Sequence, residues 1–525
     1  MNRDITPGII TNPVIPGFYS DPGICRYGND YYAVFSSFEY FPGVPVFHSR
    51  DLVNWEQIAY CLTRKSQLPL EDAVTSDGIY APTLRYHNGK FYMITSNRCS
   101  KYGNHFYVTS ESMRGPFSDP VWIRDMEGRS IDGVDPSLFF DEDGQVYFSC
   151  VAWDEKGQGI GQARIDLDSG LLLDPLKVVW HGTGGTFPEG PHTYRINGWY
   201  YLMIAEGGTE YGHKVSIARS RDINGPYESC PHNPILTQNY QYVQAGCIQG
   251  VGHGDLFEAH DHTWWLIVHG FRTSLGKLHH LGRETMLVPV QWDEDGWPVV
   301  NENGWIGETV RLQGVFSDTI QKEIPGFRDD FSSPTPSLRW NYLRNPDPSR
   351  YQFAASGGSG LLLTGTSDSL NEEGSPVWLG TRQRHFDCRI HVEMDYSPGE
   401  NEEAGLTVYQ TPEHHYDIVV ASEHGQRLCY LRKTVGDIIW TGEKIPVLSE
   451  RFSLDVRASR TLYTFSVSFD NRTYTLGDGR TQLLSTEAMQ YQNFTGTFFA
   501  LYAQSPNERP APAYFLSFEY FVDDQ

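Results

Sequence analysis

The chain of 525 residues lacks several features that define whole classes of protein. It contains no run of about 18 apolar residues, and a transmembrane helix is therefore not predicted. Basic residues are outnumbered, 41 against 65 acidic ones, and the net charge of −24 argues against nucleic acid or an anionic membrane as a partner. No apolar periodicity of 3.6 extends far enough to predict a long helix.

The eight cysteines are scattered and form no C-x-x-C pair. We interpret them as buried free thiols in a reducing compartment, where the sequons at Asn471 and Asn493 would carry no glycan. The N-terminal segment MNRDITPGIITNPVIPGF lacks the apolar core of a signal peptide. A cytoplasmic location is the resulting expectation.

What the chain does contain is typical of an all-β protein. Aromatic residues make up 14% of it, accompanied by 51 glycines and 31 prolines. Strands favour aromatic and β-branched side chains, while glycine and proline form tight turns. Aromatic faces also stack on the apolar side of pyranose rings, and the same composition therefore suits a sugar-binding surface.

One stretch, FYSDPGICRYGNDYY from Phe18, has the pattern of a hairpin with a carboxylate at the start of its first strand. The pattern recurs at intervals of about 55–60 residues in APTLRYHNGKFYMI, DPSLFFDEDGQVYF, EGPHTYRINGWYYL and GHGDLFEAHDHTWWLI. Five such repeats predict a five-bladed β-propeller, in which each blade is a four-stranded sheet around a central axis. An irregular β-sandwich is the alternative.

The repeat is lost beyond Gly314, which divides the chain. We predict the propeller over residues 1–313, a linker over 314–327, and a β-sandwich over 328–525, because strands such as YDIVVAS and FSLDVRAS alternate at spacings of roughly 10–15 residues. This second half lacks the acid-before-proline motif. It is expected to support the first domain, and whether it lends a loop to the pocket mouth is left open.

The repeat register brings together side chains that are distant in sequence. In a propeller the innermost strand of each blade lies along the axis, and its first residue points toward the central opening. Those positions hold Asp21, Pro82, Asp135, Glu189 and His253. Three carboxylates would thus meet around one funnel. Each alone could be a strand-initiating turn residue, but their equivalent positions favour function.

Crowded carboxylates suggest a particular chemistry. In a pocket of restricted solvent their pKa values are pushed apart, and one group can stay protonated while another is ionised. Hydrolysis of a glycosidic bond needs that division, with an acid for the leaving oxygen and a base for water; a separation of roughly 6.5–9.5 Å would give inversion. Asp141 and Asp143, in the hairpin turn DEDG, are expected to be solvated.

Three segments, YSDPGICR, GVDPSLFFDEDG and FPEGPHTYRINGWYYL, resemble the catalytic segments of glycoside hydrolase family 43. AEGGTEYGH and LGRET are similar to its β-xylosidase branch, which also contains α-L-arabinofuranosidases, and EEAGLTVYQTPEHHYDIVV resembles that branch's concanavalin-like C-terminal β-sandwich. Ser20 and Gly23 stand where the family commonly has proline and serine, while Asp21 is intact. The resemblance implies an inverting mechanism with no required cofactor.

The resemblance also implies roles for the three carboxylates. Asp21 would be the general base that activates water, and Glu189 the general acid that protonates the departing oxygen. Asp135 would raise the pKa of the acid and hold it in position.

Further residues are implied to bind substrate. Arg283 would reach the sugar at the blind end of the pocket, with Thr209 nearby, and Phe38 and Tyr80 would form apolar walls. His253 would lie at the floor of the funnel, where some relatives place a calcium ion or a water network.

These binding residues also have structural alternatives. Arg283 could pair with a surface acid, His253 could be a core histidine, and Phe38 and Tyr80 could be core aromatics. Tyr80 replaces the family's usual tryptophan, which bears on the choice between xylose and arabinose.

The predicted function is that of an exo-acting hydrolase with a pocket closed at one end, which releases single xylose units from the non-reducing end of short xylo-oligosaccharides. An α-L-arabinofuranosidase, or a dual activity, is the first alternative. A non-catalytic carbohydrate-binding propeller is another, and so is an invertase-like enzyme, although no WMNDPN-like segment occurs. The oligomeric state is left open, a homo-oligomer included.

Overall fold

The computed structural model describes residues 7–239, 246–302 and 304–523, and the outermost ends of the two predicted domains lie outside these ranges. The described elements are strands and four short 3-10 turns, at Gly314–Phe316, Pro348–Arg350, Thr481–Leu484 and Thr486–Ala488. No helix in this part of the chain is long and apolar enough to cross a membrane.

Five antiparallel sheets form the predicted five-bladed β-propeller, with the strands of each blade in chain order. Blade 1 comprises Gly23–Tyr27, Asp30–Val34, Gly43–Ser49 and Glu56–Leu62. Blade 2 comprises Thr83–His87, Lys90–Ser96, His105–Ser110 and Val121–Trp122. Blade 5 comprises Ile248–Glu258, Trp264–Arg272, Glu284–Trp292 and Pro298–Val300.

Blades 3 and 4 differ from the others in that two short strands share the outer edge. Blade 3 comprises Ser137–Phe140, Val146–Asp154 and Gly157–Asp166, with Leu171–Leu172 and Lys177–Trp180 outermost. Blade 4 comprises Glu189–Ile196, Trp199–Glu206 and Lys214–Ser220, with Glu228–Ser229 and Leu236–Thr237 outermost. A separate strand pair, Ile9–Thr11 with Thr309–Arg311, joins the two ends of the propeller.

Local sequence explains why the blades form. The hairpin turns Asn88–Gly89 and Asn197–Gly198 have positive φ at both residues, which is the type I′ geometry that Asn-Gly favours. The repeated aromatic position on the second strand packs between blades, and Phe148, Tyr201 and Trp265 are almost completely buried there. The pattern read from the sequence therefore specifies both the turns and the layers between blades.

The C-terminal half is the predicted β-sandwich of two antiparallel sheets. In sheet order, the first comprises Tyr351–Ser356, Ser359–Leu363, Ala513–Val522, Cys388–Asp395, Arg451–Ala458, Leu462–Phe469 and Arg472–Arg480, with Phe327–Asp329 beside Ala513–Val522. The second comprises Val377–Arg382, Phe498–Gln504, Glu403–Thr411, His414–Glu423, Gln426–Val435 and Ile438–Thr441, with Ile445–Pro446 also on Gln426–Val435. Inward-facing residues such as Ile390, Leu406 and Phe515 are fully buried between the sheets, each contributing about 1.5–3 kcal/mol.

The two domains are joined by strand pairing and by an aromatic cluster. Tyr40–Phe41 of the propeller pairs with Tyr342–Leu343 of the second domain. Nearby, Tyr40 stacks on Phe498 with ring centroids 4.4 Å apart, within a buried cluster from both halves. This contact fixes the sandwich against the face of the propeller on which the inner strands begin.

Candidate active site

The three predicted carboxylates lie at the starts of inner strands, as the repeat register requires. Asp21 and Asp135 each precede an inner strand by two residues, and both adopt a left-handed backbone with φ of 54° and 56°. Aspartate tolerates this region better than most residues, and such strain clusters at functional sites. Glu189 begins the inner strand of blade 4.

His253 reaches the same opening by a different route. The inner strand of blade 5 begins earlier, at Ile248, and contains irregularities of register on both sides of Gly252. His253 follows with a left-handed φ of 42°, which turns its ring toward the carboxylates. Its Nδ1 lies 3.7 Å from Asp21 Oδ1 and 3.9 Å from Asp135 Oδ2.

Asp21 is buried and tightly held. Its carboxylate accepts hydrogen bonds from the hydroxyls of Ser20 and Ser36, at 2.8 and 2.5 Å, and from Arg283 Nη1 at 2.9 Å. Burial alone would raise the pKa of Asp21, but Arg283 and, after it, His269 and His253 together outweigh burial and hold that pKa well below the ordinary value of 3.8. Asp21 is therefore ionised at neutral pH.

The pKa values of the other two carboxyl groups are shifted in the opposite direction. Burial raises the pKa of Asp135, and the nearby charge of Asp21 adds to the effect. Burial, followed by the charges of Asp135 and Asp21, raises the pKa of Glu189 well above 4.5. Asp135 Oδ2 accepts a hydrogen bond from the backbone N–H of Gly190 at 3.1 Å, which ties it to the segment that carries Glu189. The site thus holds one ionised carboxylate beside a pair that retains a proton.

Arg283, Thr209 and His269 form a second layer beneath Asp21. His269 Nδ1 lies 3.1 Å from both the backbone nitrogen and Oδ1 of Asp21, and its Nε2 lies 3.2 Å from Thr209 Oγ1. Burial lowers the pKa of His269 to about 4, and the ring is therefore neutral. Thr209 Oγ1 also accepts a hydrogen bond from Arg283 Nη1 at 2.8 Å.

The predicted apolar wall contains a residue that sequence reasoning missed. Phe38 is buried. The centroid of its ring lies 5.2 Å from that of Tyr80 and 5.6 Å from that of Phe494, a residue of the C-terminal domain. Arg283 packs over Phe494 and donates to its carbonyl at 3.3 Å. The partly exposed surface of the wall belongs to Tyr80 and Phe494 rather than to Phe38.

The loop that carries Phe494 is fastened to the propeller by short hydrogen bonds. Ser76 Oγ donates to Asn493 Oδ1 at 2.7 Å and accepts from the backbone N–H of Phe494 at 2.9 Å. The second domain therefore contributes to the site directly. No repeat or motif marks Phe494, and only its three-dimensional neighbours identify it.

The expectation that Asp141 is solvated is wrong. Its side chain is buried and accepts hydrogen bonds from Arg195 Nη1 at 2.9 Å and from the Tyr200 hydroxyl at 2.7 Å. Both donors belong to blade 4, and Asp141 therefore links two neighbouring blades. Asp143, in the same turn, is exposed as expected.

The axis is closed below the carboxylates by a buried polar cluster. Asp255 accepts from Arg85 Nη1 at 2.8 Å and from the Tyr194 hydroxyl at 2.7 Å, and Arg85 Nη2 lies 2.9 Å from His192 Nδ1. These side chains come from blades 2, 4 and 5 and fill the central opening. These contacts favour the predicted closure of the funnel at this end.

A calcium ion near His253 finds no support from the donor arrangement. Among the described residues, no group of three or more His, Cys, Asp or Glu side chains is placed to hold a metal ion. The calcium ion stays a prediction from the resemblance, and the proposed reaction does not use it.

A propeller funnel that carries an ionised carboxylate opposite a protonated one is the arrangement of a glycoside hydrolase. The chain belongs to glycosyl hydrolases family 43, whose family model matches residues 10–298. The model of the beta xylosidase C-terminal concanavalin A-like domain matches residues 328–521. The resemblance read from the sequence is confirmed, and the protein is an enzyme that acts on carbohydrate.

Similar proteins include both xylosidases and arabinofuranosidases. The non-reducing end alpha-L-arabinofuranosidase BoGH43B of Bacteroides ovatus is 40% identical over 518 residues, covering 97% of this chain and 94% of that protein. The beta-xylosidase of Bacillus subtilis is 32% identical, covering 97% and 99%. Among solved structures, xylan beta-1,4-xylosidase of Bacillus halodurans superposes with a TM-score of 0.90 at 33% identity, covering 98% of this chain and all of that one.

Proposed function

We propose that this enzyme is an inverting exo-glycosidase that releases single pentoses, xylose first among them, from the non-reducing end of short xylo-oligosaccharides. The observation that carries the proposal is the convergence of Asp21, Asp135 and Glu189 on one funnel with opposite shifts of pKa. An ionised base and a protonated acid are then present together at neutral pH.

The proposed reaction is a single displacement. Asp21 accepts a proton from a water molecule while the water oxygen attacks the anomeric carbon, and the glycosidic C–O bond breaks on the opposite face of the sugar. Glu189 gives its proton to the leaving oxygen. Asp135 contributes the negative charge that raises the pKa of Glu189, and it holds the backbone at Gly190. Arg283 keeps Asp21 ionised and oriented.

The exo mode is supported by the shape of the site. Below the carboxylates the Arg85–Asp255 cluster closes the axis, and on one side the Phe494 loop narrows the opening. A pocket that is blind at one end admits a chain terminus but not the middle of a polymer. One terminal sugar would therefore be cleaved at each encounter.

An α-L-arabinofuranosidase, or a dual activity, is the second candidate. It is favoured by the 40% identity to a relative named for that activity, whereas the beta-xylosidase of Bacillus subtilis is 32% identical. The two sugars are both pentoses, and the choice between them depends on the wall that Tyr80 and Phe494 form.

A substrate panel with product analysis tests the proposal. The purified enzyme is given an aryl β-xyloside and an aryl α-L-arabinofuranoside at matched concentrations, and xylobiose hydrolysis is followed by proton NMR. We expect faster release from the xyloside and α-xylose as the first product. A higher kcat/KM on the arabinofuranoside would assign the second candidate instead, and β-xylose as the first product would contradict inversion.

A further inference from the structure

Glu206 is a fully buried carboxylate at the end of the second strand of blade 4, with no role in the reaction described above. Its Oε1 accepts hydrogen bonds from the backbone N–H groups of Thr183 and Gly185, at 2.8 and 3.3 Å. Its Oε2 accepts from the Thr183 hydroxyl at 2.7 Å. All three donors belong to the loop 181–188, whose sequence is HGTGGTFP.

This loop is shaped to wrap the carboxylate. Gly182 has a φ of 75°, and a Cβ placed on it would lie 2.3 Å from Glu206 Oε1. A side chain at that position would therefore displace the carboxylate. The backbone N–H of Gly207 also donates to the Thr186 carbonyl at 2.7 Å, which fastens the far end of the loop to the same strand terminus.

The loop leads directly into the general acid. Its last residues, Phe187 and Pro188, directly precede Glu189, and the Phe187 side chain is 57% exposed. The described part of the chain provides no hydrogen bond to the Glu189 carboxyl group itself, and the position of that group therefore depends on its backbone. Glu189 pairs with Ala205, the residue before Glu206, and its neighbour Gly190 donates to Asp135. On the N-terminal side the backbone is held by the loop that Glu206 anchors and by Gln158 Nε2, which donates to the Pro188 carbonyl at 3.3 Å.

We propose that Glu206 is a positioning residue for the acid, a role that rests on the function proposed for Glu189. A buried carboxyl group needs strong hydrogen-bond partners, and the loop supplies them in the observed conformation. Loss of the charge frees the loop, and Glu189 then spends less time within hydrogen-bond reach of the leaving oxygen. Proton donation by Glu189 is then impaired, while deprotonation of water by Asp21 is not.

The experiment is a comparison of leaving groups in Glu206→Gln. Glutamine keeps the size of the side chain but removes the charge and replaces one acceptor with a donor. For xylosides with poor leaving groups we expect kcat to fall about tenfold or more, a part of the 10²–10⁴-fold that a positioned acid supplies. The leaving group of 2,4-dinitrophenyl xyloside, 2,4-dinitrophenolate, departs without a proton. For this substrate kcat should therefore stay within about twofold of the wild type.

A matched control separates positioning from general destabilisation. Glu402, in the sandwich, is also buried and accepts from the backbone N–H groups of Gly399 and Ala511, at 2.8 and 3.1 Å. Glu402→Gln should lower the melting temperature without changing the dependence of kcat on the leaving group. If Glu206→Gln does not fold, Thr183→Val is measured instead, because it removes one of the three donors to Glu206. Its loss of kcat should also be larger for poor leaving groups, but to a smaller extent.

An equal loss of kcat for all leaving groups in Glu206→Gln, or in Thr183→Val where that variant is needed, would overturn the proposal, and so would no loss at all. Glu189→Gln is measured in parallel. If Glu189→Gln itself shows no dependence on the leaving group, the proposed role of the acid fails, independently of Glu206.

Discussion

Replacing Glu189 with glutamine is expected to reduce kcat on xylobiose by about 10²–10⁴-fold, the contribution that a positioned general acid makes. The reason is its raised pKa, since a buried carboxyl group beside Asp135 and Asp21 retains the proton that the leaving oxygen needs. Kinetics on xylobiose and on 2,4-dinitrophenyl xyloside measure the effect. The second substrate should lose far less activity.

Glu155 provides the control for this substitution, because it lies exposed in the turn between the second and third strands of blade 3. Glu155→Gln should behave as the wild type on both substrates. Equal losses on both substrates in Glu189→Gln would show that the residue does not supply the proton.

Replacing Asp21 with asparagine is expected to have the second large effect. Turnover should fall by about 10²–10⁴-fold with every leaving group, because water must be deprotonated whichever group departs. The substitution also leaves Arg283 buried without its counter-charge, which costs about 3–5 kcal/mol of stability when a buried pair is broken. Circular dichroism and the melting temperature therefore accompany the kinetics.

Chemical rescue distinguishes loss of the base from loss of the fold. In Asp21→Ala, azide can occupy the space of the missing carboxylate and attack the anomeric carbon without needing deprotonation. An α-xylosyl azide should form from a β-xyloside as azide is added. Asp143→Asn, in an exposed turn, is the control and should be fully active. Near-normal turnover of Asp21→Asn would refute the assigned role.

The repeat made the fold and the three carboxylates predictable from the sequence. Asp21, Asp135 and Glu189 occupy equivalent positions of the first, third and fourth hairpin repeats, and the period of the hairpins determines the propeller. Once the blades are arranged around an axis, the meeting of these residues follows without further information. His253 lies beside two of these carboxylates, although the irregular register of its strand had no signal in the sequence.

The parts that could not be predicted depend on contacts between segments that share no pattern. Asp141 has the sequence context of an exposed turn, and it is buried only because Arg195 and Tyr200 reach it from the next blade. Phe494 comes from a domain without the repeat. Glu206 stood beside Thr209 in a recognised segment, but its partners lie in a loop whose conformation the sequence does not reveal.

The proposed mechanism requires Asp21 to be ionised while Glu189 is protonated. The dependence of kcat/KM on pH is the most direct measurement of that difference. Asp21 has a lowered pKa and serves as base until the pH falls through that value, below 3.8. Glu189 has a raised pKa and serves as acid until the pH rises through that value, well above 4.5. The apparent alkaline value belongs to the interacting pair of Glu189 and Asp135.

The measurement uses the wild-type enzyme and a xyloside with a poor leaving group. We expect a plateau that ends on the alkaline side in a one-proton loss of kcat/KM, and a much weaker loss with 2,4-dinitrophenyl xyloside. A kcat/KM that instead increases with pH across the neutral range, or an alkaline limb identical for both leaving groups, would contradict it.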